Sequence, residues 1–313
     1  MKKRKATPQV YGPKPSLIKN IKRHWELYLL ILPVILYFAI FKYVPMYGIQ
    51  IAFRDYFPGM DILEAEWIGL RHFSRVFRSA TFWQSFRNTL TLSLMQLFLG
   101  FPLPILMAIF LNEMRFTKMK KLLQTVSYAP HFISMVAMAG IIMAFTDDHG
   151  LIGQIYTAST GEVKNLLTIP GLFKWIYVIG NEWKNLGWSS IIYIATLSSV
   201  DLSLYEAARV DGANRLQKVW YLDVPFLVPT MVILLILNCG RILSVGYEQI
   251  LMLQNSLNGP ASEIISTYSY KVGMLQRSYG FSTAMGLFNS VINLILLTTV
   301  NRISRKVSGN SLW

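Results

Sequence analysis

Two small groups of residues in this sequence have types and spacings that could do chemistry, and in neither is the chemistry catalytic. Glu206, Ala207, Ala208, Arg209, Asp211 and Gly212 stand in a polar stretch, YEAARVDGANRLQKVWYLDVP, between the apolar runs IIYIATLSSV and MVILLILNCG. Charges of both signs beside two side chains of almost no bulk suit close apposition to another surface. Asn185, Asn238 and Arg241 form the second group, set within or against apolar runs. Polar groups placed there are costly and ordinarily face a cavity or another helix. The planar fork of Arg241 matches a carboxylate and can also donate to hydroxyls; an ion pair with Glu248 or with a residue of a partner chain is the competing use.

Catalysis and metal binding find no candidates. His24, His72, His131 and His149 are scattered without metal-ligand spacing, and Cys239 is the single cysteine, in an apolar run where it reads as a small buried hydrophobe. No acid/base pair or metal cluster is grouped near an interface. No G-x-x-x-x-G-K-[ST] phosphate loop occurs in the sequence.

The elements that must position these groups are membrane helices. Hydrophobic residues are 53% of the 313, charged residues 15%, and mean hydropathy is +0.39. That balance excludes an ordinary soluble domain and fits a polytopic membrane protein. The net charge of +14 raises nucleic acid as a partner. Lys and Arg, however, collect in the cytoplasmic loops of membrane proteins, so their positions decide. Six apolar segments are long enough to span, over 27–53, 87–111, 122–146, 182–201, 225–247 and 281–301. With the N-terminus inside, the inner segments 1–26, 112–121, 202–224 and 302–313 carry eighteen Lys and Arg. The longer outer loops 54–86, 147–181 and 248–280 carry eight, among them Arg71, Arg75 and Arg78, which run against the trend. The bias predicts cytoplasmic N- and C-termini and accounts for most of the basic excess without nucleic acid. The basic segment 1–26, broken by Pro8, Pro13 and Pro15, reads as an uncleaved cytoplasmic tail.

The polar stretch is then cytoplasmic. Ser203 and Glu206 have the spacing of a capping box, Ala207 and Ala208 favour helix, and Gly212 permits a left-handed end. A second short helix is predicted over 213–221. Pro225, which cannot continue a helix from upstream, is predicted to start the fifth span.

Glu206-Ala207-Ala208, three residues, Gly212, nine residues and Leu222-Asp223-Val224-Pro225 resemble the EAA loop of permease subunits of binding-protein-dependent ABC importers. That family's pattern is E-A-A, three residues, G, nine residues, I-x-L-P; Leu222 and Val224 are conservative departures. WQSFRNTLTLS (83–93), RFTKMKKLLQTVSYAPHFIS (115–134) and NGPASEIISTYSYKVGMLQRSYGFSTAMG (258–286) resemble its carbohydrate branch. VPMYGIQIAFRDY (44–56) and WIGLRHFSRVF (67–77) resemble the subgroup that includes permeases for polygalacturonan, rhamnogalacturonan and alginate oligosaccharides.

The resemblance implies an all-α polytopic fold, the type I ABC importer permease fold, in a bacterial cytoplasmic membrane. Its parts would be a tail (1–26), a first span (27–53), an extracytoplasmic loop (54–86), a permease core (87–301) and a tail (302–313). Residues 206–209, 211 and 212 would dock on a partner ATP-binding subunit dimer, which would bind ATP and Mg, this chain holding no cofactor. Further partners implied are a second, homologous permease, an extracytoplasmic solute-binding protein and membrane lipid. The cargo implied is an oligosaccharide, an acidic pectin- or alginate-derived one among them; another solute class, or an ion-coupled secondary carrier, is the alternative.

Asn185, Asn238 and Arg241 are the predicted solute face. At 1.5 Å per residue, Asn238 and Arg241 lie ~20–24 Å beyond Pro225, in the outer half of the fifth span. Pro102 and Pro104 should kink the second span. Ser282, Gly286, Asn289, Ser290 and Asn293 share one helical face, for packing or for lining the path. Trp183 and Trp188 read as interface anchors or as sugar-stacking rings.

Overall fold

The computed structural model describes residues 23–309 and 311–312, so most of the basic tail predicted over 1–26 lies outside the described residues. The chain divides into two units, Met1–Gln50 and Ile51–Trp313. The first is dominated by one apolar helix, α1 (Trp25–Phe53), whose last three residues belong to the second unit; it contains a π turn at Ala39–Tyr43 and tightens to a 3-10 helix from Tyr47.

The second unit is built of helices joined by turns and loops, of which 54–70 is one. In chain order it holds α2 (Arg71–Arg78), α3 (Ala80–Gly100), α4 (Pro102–Glu113), α5 (Thr117–Tyr128), α6 (Met135–Thr146), α7 (Leu151–Thr160), α8 (Pro170–Ser198) and α9 (Leu202–Val210). α10 (Arg215–Cys239), α11 (Tyr247–Leu253), α12 (Ile265–Tyr270) and α13 (Tyr279–Ser308) complete it. Among the described residues there is no strand, only an isolated bridge between Arg54 and Trp67. Five helical segments are long and apolar enough to cross a membrane, and α8, bent 70° from α9, brings the number to six.

Where apolarity ends and where backbone hydrogen bonding ends are different places. α8 begins at Pro170, not near 182, because Pro170 occupies the first turn, where a missing N–H costs nothing. The helix over the second expected span is interrupted at Phe101, just before Pro102 and Pro104. The third is broken. α5 ends in a 3-10 turn, Ala129–Phe132, and Ser134 starts α6 afresh by accepting from the Ala137 amide at 3.2 Å. The fifth stops at Cys239, which is half-buried rather than buried.

Small residues set the closest helix approaches. A Cβ on Gly187 of α8 would lie 2.2 Å from the Ser127 carbonyl oxygen of α5, so the two backbones touch there. The core has three parts. One gathers Leu92, Met138, Tyr177 and Ile250; another gathers Val76, Phe82, Phe281 and Met285; the third gathers Ile105, Tyr193 and Leu227. Ser282 and Asn293 bond to Ser269 and to the Leu243 amide, and Asn289 donates to the Leu243 carbonyl. This polar face of α13 therefore packs within the chain, although Ser282, Gly286 and Asn289 also border a cleft beside Tyr247 and Tyr270.

Candidate functional site

The loop between α8 and α10 is built by three caps. Asp201, in extended conformation, accepts from the Ser203 amide at 3.0 Å, and that bond holds its carboxyl below the ordinary carboxylate range. Asp201 precedes Ser203 and starts the helix first, so the expected capping box of Ser203 and Glu206 does not form: Ser203 is already inside α9. Among the described residues the Glu206 carboxylate makes no ion pair. α9 ends on Gly212 at φ +76°, with the Gly212 amide bonded to Arg209 O at 3.1 Å and the Ala213 amide to Ala208 O at 2.9 Å. This is a Schellman end, in which the left-handed residue is ordinarily glycine. Asn214 and Gln217 then cap α10 reciprocally, at 2.9 and 2.7 Å.

α10 does not restart at Pro225 as expected. It runs unbroken from Arg215, because a π turn over Val219–Asp223 widens the helix just where the proline ring must fit. Glu206, Ala207, Arg209, Asp211 and Gly212 are exposed, and Ala208 is half-buried. Beside them Val210 is 87% and Leu216 71% exposed, an apolar surface that calls for a partner. Sequence reasoning missed the residues that hold this surface to the helices. The Tyr205 hydroxyl donates to the buried Asp223 carboxylate at 2.5 Å, Asn112 reaches both at 3.4 and 3.5 Å, and Lys218 pairs with Glu113 at 3.7 Å. The one signal was Asp223 itself, a lone acid in an otherwise apolar approach to Pro225.

The second predicted group converges. Asn185, Asn238 and Arg241 line one cavity of about 270 Å³, together with Gln96, Glu182 and Ser244 and with Phe101 and Pro104 at the α3–α4 break. Asn238 is in the last turn of α10, and Arg241 lies in the turn beyond it rather than within a span-length helix. Neither side chain has a polar partner among the described residues, and the ion pair of Arg241 with Glu248 is not formed. Asn185 differs: its amide bonds to Asn181 at 3.0 Å and to His131 Nδ1 at 3.2 Å. It shapes the cavity wall while Arg241 and Asn238 face the cavity with their hydrogen-bonding groups unused.

Because α8 starts at Pro170, Glu182 and Lys184 lie near its middle. The Glu182 carboxylate comes so close to α3 that a Cβ on Gly100 would lie 2.5 Å from it. Lys184 is buried and donates to the carbonyls of His131 (3.3 Å) and Ile133, which the break between α5 and α6 leaves without helical donors. The His131 ring stacks on Trp188 at 4.4 Å, and Trp183 stacks on Phe145 at 6.2 Å. Both tryptophans are thus engaged with rings of the same chain.

Helices long and apolar enough to cross a membrane, a polar cavity among them and an exposed loop are the parts a transport component needs. Residues 86–309 match the family described as the binding-protein-dependent transport system inner membrane component, and the chain belongs to that family as a multi-pass permease of the cell membrane. It is 42% identical over 301 residues to the polygalacturonan/rhamnogalacturonan transport system permease protein YteP of Bacillus subtilis (strain 168), covering 96% of this chain and 94% of YteP. It is 39% identical to protein LplB of the same organism over 313 residues, 100% of this chain and 98% of LplB. Among solved structures it resembles a chain of a bacterial alginate ABC transporter in complex with alginate pentasaccharide-bound periplasmic protein. That likeness has a TM-score of 0.87 and 38% identity, over 95% of this chain and all of that one.

Proposed function

We propose that this permease forms half of the path of an ATP-driven importer for an acidic oligosaccharide. The observation that carries the cargo class is Arg241, an unpaired guanidinium in a polar cavity shared with Asn238. Its fork suits a uronate carboxylate. The names of YteP and of the alginate transporter, both concerned with uronate-containing polymers, support the same reading. A solute-binding protein would deliver the sugar on the extracytoplasmic side, and a second, homologous permease would supply the other half of the path.

The loop 202–224 is the coupling segment. Glu206, Ala207, Ala208, Arg209, Asp211 and Gly212 would seat on a separate ATPase dimer, which holds ATP and Mg. Closure of that dimer would rock α8 and α10 between inward-open and outward-open arrangements. The Lys and Arg bias supports cytoplasmic termini.

The test is ATPase stimulation in the purified complex, with binding protein loaded with oligogalacturonate or oligoalginate. Arg241→Ala should abolish transport and Arg241→Lys should restore it only in part, since an ammonium lacks the fork. Unchanged uptake by Arg241→Ala and by Asn238→Ala would overturn the site. Equal uptake of neutral and acidic oligosaccharides would overturn the cargo class.

A further inference from the structure

The helix α2, RHFSRVFR, contributes nothing to the cavity or to the coupling loop, yet it is built with unusual care. At 3.6 residues per turn Arg71, Arg75 and Arg78 fall within about 60° of arc. All three are exposed. His72 and Val76, about 90° and 130° round the helix from the centre of that arc, are buried, Val76 in the core with Phe82 and Phe281, and His72 Nε2 lies 3.1 Å from the Arg54 carbonyl. The helix is thereby fixed with its guanidinium face outward. Among the described residues none of the three arginines has an ion pair; Arg75 only lies over the Phe281 ring at 5.8 Å.

Two further observations say what meets that face. Ser79 alone separates α2 from α3, which leads into the span expected from 87, so connectivity keeps α2 within about two helical turns of the membrane boundary. Exposed rings and apolar side chains border it. Trp67 is 59% and Leu70 66% exposed; Phe77 is exposed beside Trp83, whose indole N–H donates to the Phe77 carbonyl at 2.8 Å. Cationic residues beside exposed tryptophan and phenylalanine, next to a membrane-crossing segment, suit the headgroup region of a lipid interface.

We propose that α2 is an interfacial helix whose three arginines bind the phosphates of anionic phospholipid headgroups. The test uses the assembled transporter reconstituted in mixed phosphatidylglycerol and phosphatidylcholine vesicles, extracted gently, with retained lipid counted by native mass spectrometry. The intact protein should retain phosphatidylglycerol over phosphatidylcholine. The variant R71Q/R75Q/R78Q should lose that preference, by up to about fivefold per arginine at low salt. R71K/R75K/R78K, which keeps the charge, should retain most of it and controls for folding. Inorganic phosphate should compete only at far higher concentration than lipid. Equal retention of the two lipids by the intact protein, or undiminished preference in the glutamine variant, would overturn the proposal. So would loss of solute-binding-protein affinity with lipid retention unchanged, which would make this face a protein contact.

Discussion

Replacing Gly212 tests the coupling loop by backbone conformation alone. The residue sits at φ +76°, and a Cβ built there would meet nothing within 4 Å. A side chain therefore fits sterically, and the whole cost is the left-handed conformation, about 1–2 kcal/mol for an L-residue. That cost falls on the geometry in which Gly212 and Ala213 close the end of α9. If the ATPase recognises that geometry, its dissociation constant should rise by about 5–30-fold in Gly212→Ala. Gly212→Asn should lose much less, because asparagine tolerates the left-handed region. Gly212→Leu adds bulk on an exposed surface and should abolish docking and transport while leaving membrane insertion intact. The assay is titration of the purified permease pair with ATPase subunit, followed by transport in proteoliposomes. Wild-type affinity in Gly212→Ala, equal losses in the alanine and asparagine variants, or full transport by Gly212→Leu would each refute the reasoning.

Three other substitutions probe the supports. Lys184→Met should strand the carbonyls of His131 and Ile133 at the helix break, at about 1–3 kcal/mol each, and lower the melting temperature in detergent; an unchanged melt would mean the ammonium is dispensable. Gly187→Ala should force α8 from Ser127 and destabilise the chain by about 1–3 kcal/mol, read in the same melt. Tyr205→Phe removes the donor to the buried Asp223 carboxylate, costing about 1–3 kcal/mol. It should raise protease cleavage in 199–224 and the ATP hydrolysed per solute moved, and unaltered values of both would show that Asn112 alone suffices.

Features that depend on residue type were readable before any fold. Gly212 announced a left-handed end, and Asn185, Asn238 and Arg241 announced a cavity or a helix contact, the two places where polar groups in apolar runs are found. Features that depend on competition between equivalent groups were not. Asp201 and Ser203 are both good caps two residues apart, and only the course of the chain after Ser198 selects the first. Hydropathy could not find Pro170 as the start of α8, because the helix extends beyond its apolar part through Lys174 and Asn181. Pro225 signalled a start by its missing N–H, whereas a π turn absorbs that defect without an interruption. The pairing of Tyr205 with Asp223 joins residues eighteen positions apart, which no local pattern encodes.

The unbroken helix from Arg215 to Cys239 has a consequence for phase. Its first turn belongs to the coupling loop and its last carries Asn238 to the cavity, some 35 Å away at 1.5 Å per residue. The π turn adds one residue to a single winding, and one residue is about 100° of rotation. The five residues Val219–Asp223 therefore work as a fixed angular offset between the two ends. They set which way Asn238 points relative to the loop before Arg215. If the loop seats on an ATPase as proposed, a twist applied there would reach the cavity with that offset built in.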